Sequence, residues 1–354
     1  MEVRVSTTPR GEGFVQPGEW APHEAVWSAW PSDGELWQEH LAAAQAEFVG
    51  LCEAIAAGPG AERLEILVAD AAAERAAAAA LGRLGARLHR VAYGDIWLRD
   101  TAPIFVTDAR GAVAACRFGF NGWGGKYVFE GDAGVSAAVA RLAGRRSFAF
   151  DLVLEGGSVD VDGEGTCLTT RQCLLNANRN PHLDQGSIER AVAEALGIER
   201  FVWIDEGLLN DHTDGHIDTI ARFVAPGVVV CMAPSGDDDP NAAVLERIAA
   251  ELAASRDAKG RRLEVIRVPS PGLVVDDAGR VMPASHVNFY IGNRSVVVPT
   301  YGTRWDEAVV EALQPAFPGR RVVGRPAKAI LTGGGAFHCI TQQEPRGIVA
   351  GGVR

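Results

Sequence analysis

The chain has 354 residues, of which 47% are hydrophobic and 22% charged, and its 34 basic and 45 acidic residues leave a formal net charge of −11. This composition is typical of a globular protein with a sizeable core and excludes an intrinsically disordered chain. The acidic excess argues against general binding to nucleic acid or to an anionic membrane surface, and it is compatible with a small cationic partner.

Targeting and redox features predict a cytoplasmic protein. Residues 1–18 are polar and charged and lack the apolar run of a secretory signal. No stretch approaches the roughly 20 apolar residues of a membrane-spanning helix. The six cysteines are scattered without a CxxC pair, which predicts reduced thiols rather than a disulfide framework.

Apolar periodicity, glycine stops and hairpin turn signals predict an α/β fold made of repeated units. In chain order, the predicted elements are a helix at 35–57, a strand at 64–68, an alanine-rich helix ending near 84, a strand at 87–93, a hairpin from 104–106 to 112–118, a helix at 135–142, a strand at 148–154, a hairpin from 158–161 to 166–169, a helix at 187–196, strands at 201–204, 217–223 and 227–232, a helix at 242–253, a strand at 263–268, a hairpin-like stretch at 273–299, a helix at 306–313, and strands at 321–323 and 329–331. The order hairpin, helix, strand recurs about five times. No linker divides the chain, so we expect one domain over residues 1–354.

Polar and charged residues concentrate beside glycines at the ends of apolar strands, where a rigid scaffold commonly holds functional groups. Five such segments stand out: WLRDT at 97–101, LEGG at 154–157, DHTDGHID at 211–218, SHVNF at 285–289 and GGGAFHCI at 333–340.

Cys339 follows a glycine triplet that comes directly after an apolar segment. Glycines allow a sharp turn and leave room for a ligand, and a thiol in such a place can act as a nucleophile. The alternative is a buried cysteine that serves only as a small apolar core residue. The local sequence leaves both interpretations open.

The segment 211–218 holds three aspartates and two histidines. It is compatible with a solvated acidic turn, or with a metal site in which His212, Asp214, His216 and Asp218 supply the ligands. A third interpretation places His216 and Asp218 on one face of the strand predicted at 217–223, since side chains alternate along a strand. A histidine beside a carboxylate could then act as a general acid and base.

Asp100 and Glu155 are weak signals individually, because each is compatible with an ordinary surface acid. Together with Asp218, His216 and Cys339 they suggest a pocket with a net negative charge. Such a pocket suits a planar guanidinium, since each carboxylate can accept two parallel N–H bonds and leave the central carbon open to a thiolate.

Eight ordered motifs between about residues 13 and 345 resemble the agmatine deiminase family, which is related to the bacterial peptidylarginine deiminases among the guanidino-group-modifying enzymes. The motifs are WLRDTAP at 97–103, FNGWGG at 120–125, EGGS at 155–158, DGEGT at 162–166, LLNANRNP at 174–181, TDGHID at 213–218, VNFY at 287–290 and GGGAFHCITQQ at 333–343. The resemblance implies a single catalytic domain built as a five-bladed, pseudo-symmetric α/β propeller, the pentein fold, from repeated ββαβ-type units. It also implies a small cationic guanidino substrate, no cofactor or metal, and a homodimer.

The resemblance further implies roles for individual residues. Cys339 would be the nucleophile and His216 the acid and base, while Asp100 and Asp218 would clamp the guanidinium. Glu155 would be the carboxylate that supports His216 and the substrate. Two tryptophans, Trp97 and Trp123, would wall the substrate channel.

One position departs from the family pattern. Agmatine deiminases usually carry an acidic residue where this chain has His212, near the distal amine of agmatine. The implied reaction converts agmatine and water to N-carbamoylputrescine and ammonia through a covalent thiouronium on Cys339. Because of His212, peptidyl arginine and free arginine stay open as alternative substrates. A metal-dependent amidohydrolase and a non-catalytic binder of guanidino compounds are the rival functions.

Overall fold

The structure, a computed structural model, describes residues 7–347. Residues 1–6, on which the prediction about a secretory signal partly rests, and both ends of the domain predicted over 1–354 lie outside the described residues. The strands are β1 (His23–Ala29), β2 (Arg63–Val68), β3 (Arg87–Arg90), β4 (Ile104–Thr107), β5 (Val113–Gly119), β6 (Arg146–Val153), β7 (Val159–Val161), β8 (Thr166–Thr170), β9 (Arg200–Ile204), β10 (Ala221–Ala225), β11 (Val228–Ala233), β12 (Glu264–Pro269), β13 (Tyr290–Ile291), β14 (Ser295–Thr300), β15 (Arg321–Pro326) and β16 (Gln342–Pro345).

Helices connect these strands. They are α1 (Gly34–Trp37), α2 (Leu41–Ile55), α3 (Ala71–Leu81), α4 (Leu98–Thr101), α5 (Gly122–Gly125), α6 (Asp132–Leu142), α7 (Arg171–Leu174), α8 (Gln185–Leu196), α9 (Ala242–Ala254), α10 (Asp306–Leu313) and α11 (Lys328–Leu331). Within residues 7–347, no helix combines the length and the apolar character needed to cross a membrane.

The strands form five small sheets, which makes this a mixed α/β fold. Four sheets have three strands, in the orders β4-β5-β6, β7-β8-β9, β10-β11-β12 and β13-β14-β15. In each, an antiparallel hairpin is followed by a parallel strand, with α6, α8, α9 or α10 in the connection. A parallel pair requires such a crossover, usually a helix. The predicted order of hairpin, helix and strand is therefore confirmed in these four sheets.

The remaining sheet has the order β16-β1-β2-β3 and joins the two ends of the described chain. Strand β16 pairs antiparallel with β1, and β1 pairs parallel with β2 across α2. The hairpin of this unit is therefore assembled from opposite ends of the sequence. Neither β1 nor β16 was among the predicted strands.

The prediction of a strand at 329–331 is wrong, because the chain there forms the short helix α11. The carboxylate of Glu47, on α2, accepts hydrogen bonds from the amides of Ala329 at 3.1 Å and Ile330 at 2.8 Å. A side chain from a distant helix thus satisfies the free amides at the start of this helix, a stabilisation that local sequence does not reveal.

The strand predicted at 217–223 is wrong at its beginning. Residues Ile217–Thr219 form a 3-10 turn, and β10 starts only at Ala221. The hydroxyl of Thr213 accepts a hydrogen bond from the amide of His216 at 3.0 Å, and the hydroxyl of Thr219 donates to the carbonyl of His216 at 2.9 Å. These bonds stabilise a turn, so His216 and Asp218 do not share a strand face.

Other boundaries differ less. The helix predicted at 35–57 is interrupted at Gln38, whose φ is 48°, so that α1 and α2 are separate. The strand predicted at 87–93 ends at Arg90, and the hairpin-like stretch at 273–299 contains an isolated antiparallel bridge between Val275 and Val281 as well as the hairpin of β13 and β14.

The segment that leads into the first strand of each hairpin is the feature that places the candidate site. Asp100 precedes β4, Glu155 precedes β7, Asp218 precedes β10, Asn288 precedes β13 and Cys339 precedes β16. The same position in five units therefore contributes the residues that carry the chemistry.

Candidate active site

The carboxylate of Asp100 is buried and oriented by two donors. The amide of Gly157 donates to its Oδ1 at 2.9 Å, and the indole Nε1 of Trp123 donates to its Oδ2 at 2.8 Å. Burial raises the pKa of Asp100; the His216 charge opposes this rise, while the charges of Asp218 and Glu155 add to it. An added cation would therefore be strongly attracted to this carboxylate.

Trp123 lies in an unusual backbone conformation, with φ 53° and ψ 49°. A bulky residue in the left-handed region costs on the order of 1 kcal/mol or more and persists only where its surroundings require it. Its buried indole contacts the ring of Phe120, with centroids 4.9 Å apart, and donates to Asp100. Trp123 is thus an orienting donor to Asp100, and its role as a wall of the substrate channel stays a prediction.

Asp218 is fully buried and binds the histidine beside the candidate nucleophile. Its Oδ2 accepts a hydrogen bond from Nδ1 of His338 at 2.6 Å, whereas its Oδ1 has no partner among the described residues. Burial alone would raise the pKa of Asp218, but the hydrogen bond and charge of His338, with the charges of His216 and Arg222, lower it below its ordinary value. The carboxylate is therefore ionised and keeps one oxygen free.

Cys339 lies against Asp218 and Asn288. Its Sγ is 3.6 Å from Oδ2 of Asp218 and 3.2 Å from Nδ2 of Asn288, and Oδ1 of Asn288 accepts the amide of Cys339 at 3.3 Å. Burial, followed by the negative charges of Asp218 and Asp100, raises the pKa of the Cys339 thiol well above its ordinary value. The thiol is thus protonated until another cation arrives.

The glycine triplet provides the space that the predicted nucleophile requires. A Cβ atom on Gly335 would stand 2.9 Å from Sγ of Cys339 and 2.8 Å from the ring of Trp97, and one on Gly333 would stand 2.7 Å from the same ring. Gly334 has a φ of 110°, which disfavours other residues. Trp97 donates through its indole to Asp95 at 2.7 Å and stacks on Trp37. It therefore borders the Cys339 loop, and its predicted role as a wall of the substrate channel stays a prediction.

His216 is completely buried beside Asp100, with its Nδ1 3.9 Å from the Oδ1 of that carboxylate. Neither ring nitrogen has a hydrogen-bond partner within residues 7–347. Burial opposes its protonation, but the charge of Asp100 and the neighbouring Cys173 and Glu155 raise the pKa of His216 well above its ordinary value. The imidazole is thus charged and its N–H groups are available to a ligand.

Glu155 is buried and paired with Arg179, a residue that the sequence interpretation did not single out. Arg179 donates from Nε to Oε1 of Glu155 at 2.8 Å and also binds Asp214 and the carbonyl of Thr213. The second oxygen, Oε2, has no partner in the described part of the chain. Glu155 makes no hydrogen bond to His216, so the support predicted for this histidine acts only through nearby charge.

The ligands proposed for a metal site do not assemble. Asp214 is bound by Arg179 and by Lys126, whose Nζ is 2.7 Å from its Oδ1. Among residues 7–347, the groups of three with ligating atoms within 4.8 Å of one another are Glu155, Cys173 and His216, and, on the surface, Glu39, His40 and Asp277. The set of His212, Asp214, His216 and Asp218 is not among them.

His212 lies at the exposed side of the glycine loop. Its Nδ1 would be 3.3 Å from a Cβ atom on Gly334, and it is 3.2 Å from the hydroxyl of Tyr127, whose ring stacks on the imidazole. Lys126 donates to the carbonyl of His212 at 2.7 Å. The predicted His212 therefore borders the site without touching the acids.

Several residues that organise the site carried no assigned role in the sequence interpretation. Asn288 belongs to the segment 285–289, and His338 precedes Cys339 directly, so proximity in sequence could have drawn attention to both. Arg179 belongs to the motif at 174–181, whereas Glu19 gave no such signal, because it reaches the site from a distant position in the sequence.

Comparison with known protein families gives a match over most of the chain. The family of Porphyromonas-type peptidyl-arginine deiminases matches residues 15–345. The chain belongs to this family.

Relatives within the peptidyl-arginine deiminase family are similar over nearly their full length. An agmatine deiminase from Pseudomonas aeruginosa strain LESB58 is 39% identical over 365 aligned positions, covering 96% of this chain and 98% of the relative. The solved agmatine deiminase of Enterococcus faecalis is 31% identical with a TM-score of 0.89, covering 98% of this chain and 100% of that one. A substrate-bound agmatine deiminase of C. jejuni is 25% identical with a TM-score of 0.85, covering 95% and 97%.

Proposed function

We propose that this protein is a hydrolase that acts on the amidine C–N bond of agmatine and converts agmatine and water to N-carbamoylputrescine and ammonia. The observation that carries this conclusion is the 39% identity to an agmatine deiminase over essentially both chains. The buried grouping of Cys339, His216, Asp100 and Asp218 supplies a nucleophile, a proton donor and two carboxylates suited to a guanidinium.

The two aspartates, Asp100 and Asp218, act when the substrate binds. Asp100 and the free oxygen of Asp218 bind the guanidinium, and the added positive charge offsets the negative charges that hold the proton on Cys339. The thiol then loses its proton to solvent. The clamp also aligns the guanidinium carbon with Sγ, which removes much of the entropic cost of attack.

The reaction then proceeds in two half-reactions, the formation and the hydrolysis of a covalent intermediate. The Cys339 thiolate forms a bond to the guanidinium carbon, and His216 gives its proton to the departing nitrogen, which leaves as ammonia. This first half produces a covalent S-alkylthiouronium. Neutral His216 then takes a proton from water, and the resulting hydroxide attacks the same carbon. The C–S bond breaks while the added hydroxyl gives its proton to the departing sulfur, so that the ureido product leaves and the Cys339 thiol is restored. Glu155 stabilises the charged His216 in this scheme.

We propose that the five sheets are arranged as five blades around this site, in one catalytic domain. Four sheets with the same strand pattern, a fifth closed by β16, and one site residue at the entrance of each hairpin support this arrangement. The substrate is a small guanidino cation. The absence of nucleic-acid and membrane partners, assembly as a homodimer and a cytoplasmic location stay predictions.

Ammonia release across a panel of agmatine, arginine, N-acylarginine amides and methylguanidine tests the proposed function. We expect turnover of agmatine above all others, and we expect Cys339→Ala to abolish it. Turnover of arginine peptides without turnover of agmatine would show that peptidyl arginine, and not agmatine, is the substrate. Normal ammonia release by Cys339→Ala would exclude the mechanism.

A further inference from the structure

His338 lies between two buried carboxylates directly behind the reacting groups. Its Nδ1 is 2.6 Å from Oδ2 of Asp218, and its Nε2 is 2.8 Å from Oε2 of Glu19. The His338 and Glu19 side chains are only 2% and 6% exposed, and that of Asp218 is fully buried, so water does not compete for these contacts.

Two short contacts to carboxylate oxygens require a donor at each ring nitrogen. A neutral imidazole has one N–H and one nitrogen with an acceptor lone pair. That lone pair would point at a carboxylate oxygen, which is also an acceptor, and the two would repel each other. Only the imidazolium donates at both ends, and charge-assisted bonds of this kind are the short and strong ones. His338 is therefore a buried cation next to Cys339 in the sequence.

The far end of this arrangement is anchored by arginines. Oε2 of Glu19 also accepts from Nη2 of Arg222 at 2.7 Å and lies 3.6 Å from Nη2 of Arg99. Nε of Arg222 in turn donates to Asp160 at 2.6 Å. The imidazolium is thus part of a buried network in which each charge has a partner of opposite sign, which is the condition for such charges to be tolerated.

Several other charged groups lie near the carboxylate of Asp218. Besides His338, the groups that act on it are the imidazolium of His216, the carboxylate of Asp100, and the guanidinium groups of Arg222 and Arg99; the thiol of Cys339 contacts it directly. Among the described groups, His338 is the only charged one with a hydrogen bond to the carboxylate oxygens of Asp218, and the Cys339 thiol contacts the same Oδ2 at 3.6 Å.

We propose that His338 is a positioning residue that donates from both ring nitrogens, to Asp218 and to Glu19, and thereby holds Oδ2 of Asp218 and leaves Oδ1 directed to the guanidinium. This inference rests on the proposed function, because it concerns how that reaction binds its cation. It assigns His338 no proton transfer, since the proton on each nitrogen is held by a carboxylate throughout.

The test is the pH profile of kcat/KM for agmatine in wild type and His338→Gln. A glutamine donates at one end only, so Asp218 loses its cationic neighbour and its pKa rises. Wild-type activity on the acidic side is limited by Asp100, whose pKa is raised. In the variant both acids must lose protons at higher pH, so the acidic limb moves upward by about 1 pH unit or more and becomes steeper.

His286→Gln is the matched control. This buried histidine also contacts acceptors at both nitrogens, the carbonyl of Pro269 at 2.9 Å and the carboxylate of Asp306 at 3.0 Å, but it touches neither Asp218 nor Cys339. We expect its acidic limb to coincide with that of the wild type. An unshifted limb in His338→Gln, a uniform loss of kcat at every pH, or an equal shift in His286→Gln would each overturn the proposal.

A second measurement requires no variant. Nitrogen NMR of the assigned His338 ring in the wild-type protein should show a proton on both nitrogens under the conditions of the activity assay, and a ring protonated at one nitrogen only would overturn the proposal even if His338→Gln failed to fold. Failure of the proposed function is a separate result, since it would appear as absent agmatine turnover in the wild type.

Discussion

A Cβ atom on Gly157 would stand 2.6 Å from Nδ1 of His216, a separation that real side chains do not adopt. The same atom would be 3.0 Å from Oδ1 of Asp100 and 3.1 Å from Oδ2 of Asp218. Gly157 is therefore the point around which His216, Asp100 and Asp218 converge, and its missing side chain is what allows them to meet.

Gly157→Ala should consequently displace these three groups. We expect kcat/KM for agmatine to fall by about 100-fold or more, since small misplacements of reacting groups have effects of this size. Steady-state ammonia release measures it. Gly34→Ala serves as the control, because its Cβ would meet no atom within 4 Å and its backbone φ is not positive. Near-normal activity of Gly157→Ala would show that His216 and the acids need not be this close.

Trp123→Phe tests the orienting bond to Asp100. Loss of a hydrogen bond to a charged group costs about 1.5–3 kcal/mol, so we expect kcat/KM to fall about 10- to 100-fold. Trp30→Phe removes the same atoms from another buried tryptophan, whose Nε1 has no hydrogen-bond partner in the described range. If both variants lost activity equally, the effect would reflect packing rather than the indole donor.

Asp95 provides a stability prediction. Burial raises its pKa to about 6, although the amide of Ile96 and the indoles of Trp37 and Trp97 donate to it. A raised carboxyl pKa means that its stabilising contribution is complete below the unfolded pKa and is lost as pH rises through about 6. Relative to Asp95→Asn, the wild-type free energy of unfolding should fall by an amount on the order of 3 kcal/mol between pH 4 and pH 7.

Urea unfolding at intervals of one pH unit measures this difference. Asp70→Asn is the control, since two backbone amides lower the pKa of Asp70 and its stabilisation is complete above about pH 4. The difference in the free energy of unfolding between wild type and Asp70→Asn should not change between pH 5 and 7. Parallel curves for wild type and Asp95→Asn would contradict the raised pKa.

His212→Glu tests how the site receives the distal amine of agmatine. An acidic residue at this exposed position should lower KM for agmatine by up to about fivefold, because surface charge pairs contribute up to about 1 kcal/mol. Methylguanidine, which has no distal amine, is the internal control and should be unaffected. Equal changes for both compounds would mean that His212 does not face the substrate tail.

Chelation distinguishes the proposed mechanism from a metal-dependent one. Dialysis against a chelator should leave ammonia release unchanged, whereas iodoacetamide should inactivate the enzyme and agmatine should protect it by covering Cys339. Loss of activity that Zn²⁺ or Mn²⁺ restores would support the rival amidohydrolase.

The regular elements were largely predictable because their patterns are local. The apolar spacing that defines α10 predicts Asp306–Leu313 with the observed bounds, and the turn between β7 and β8 follows from Asp162 and Gly163. The errors arise where distant side chains decide the backbone. Glu47 determines α11, and the hydroxyls of Thr213 and Thr219 determine the turn after His216.

The same division holds for the site. Asp100, Glu155, His216, Asp218 and Cys339 lie in motifs that the sequence shows, so their convergence could be predicted. The contacts of Glu19 and Arg179 could not, because each neutralises a charge on another segment of the chain. A partner for a buried charge is defined only once the fold has brought the two together.

The joining of β16 to β1 has a consequence for how the protein becomes active. Trp27 pairs with Gln342, and contacts between residues so far apart in sequence are slow to form. Cys339 comes only three residues before β16, so the thiol reaches the acids and His216 when the last sheet closes. A nascent or clipped chain that lacks this segment would have no Cys339, and it could at most hold guanidines without hydrolysing them.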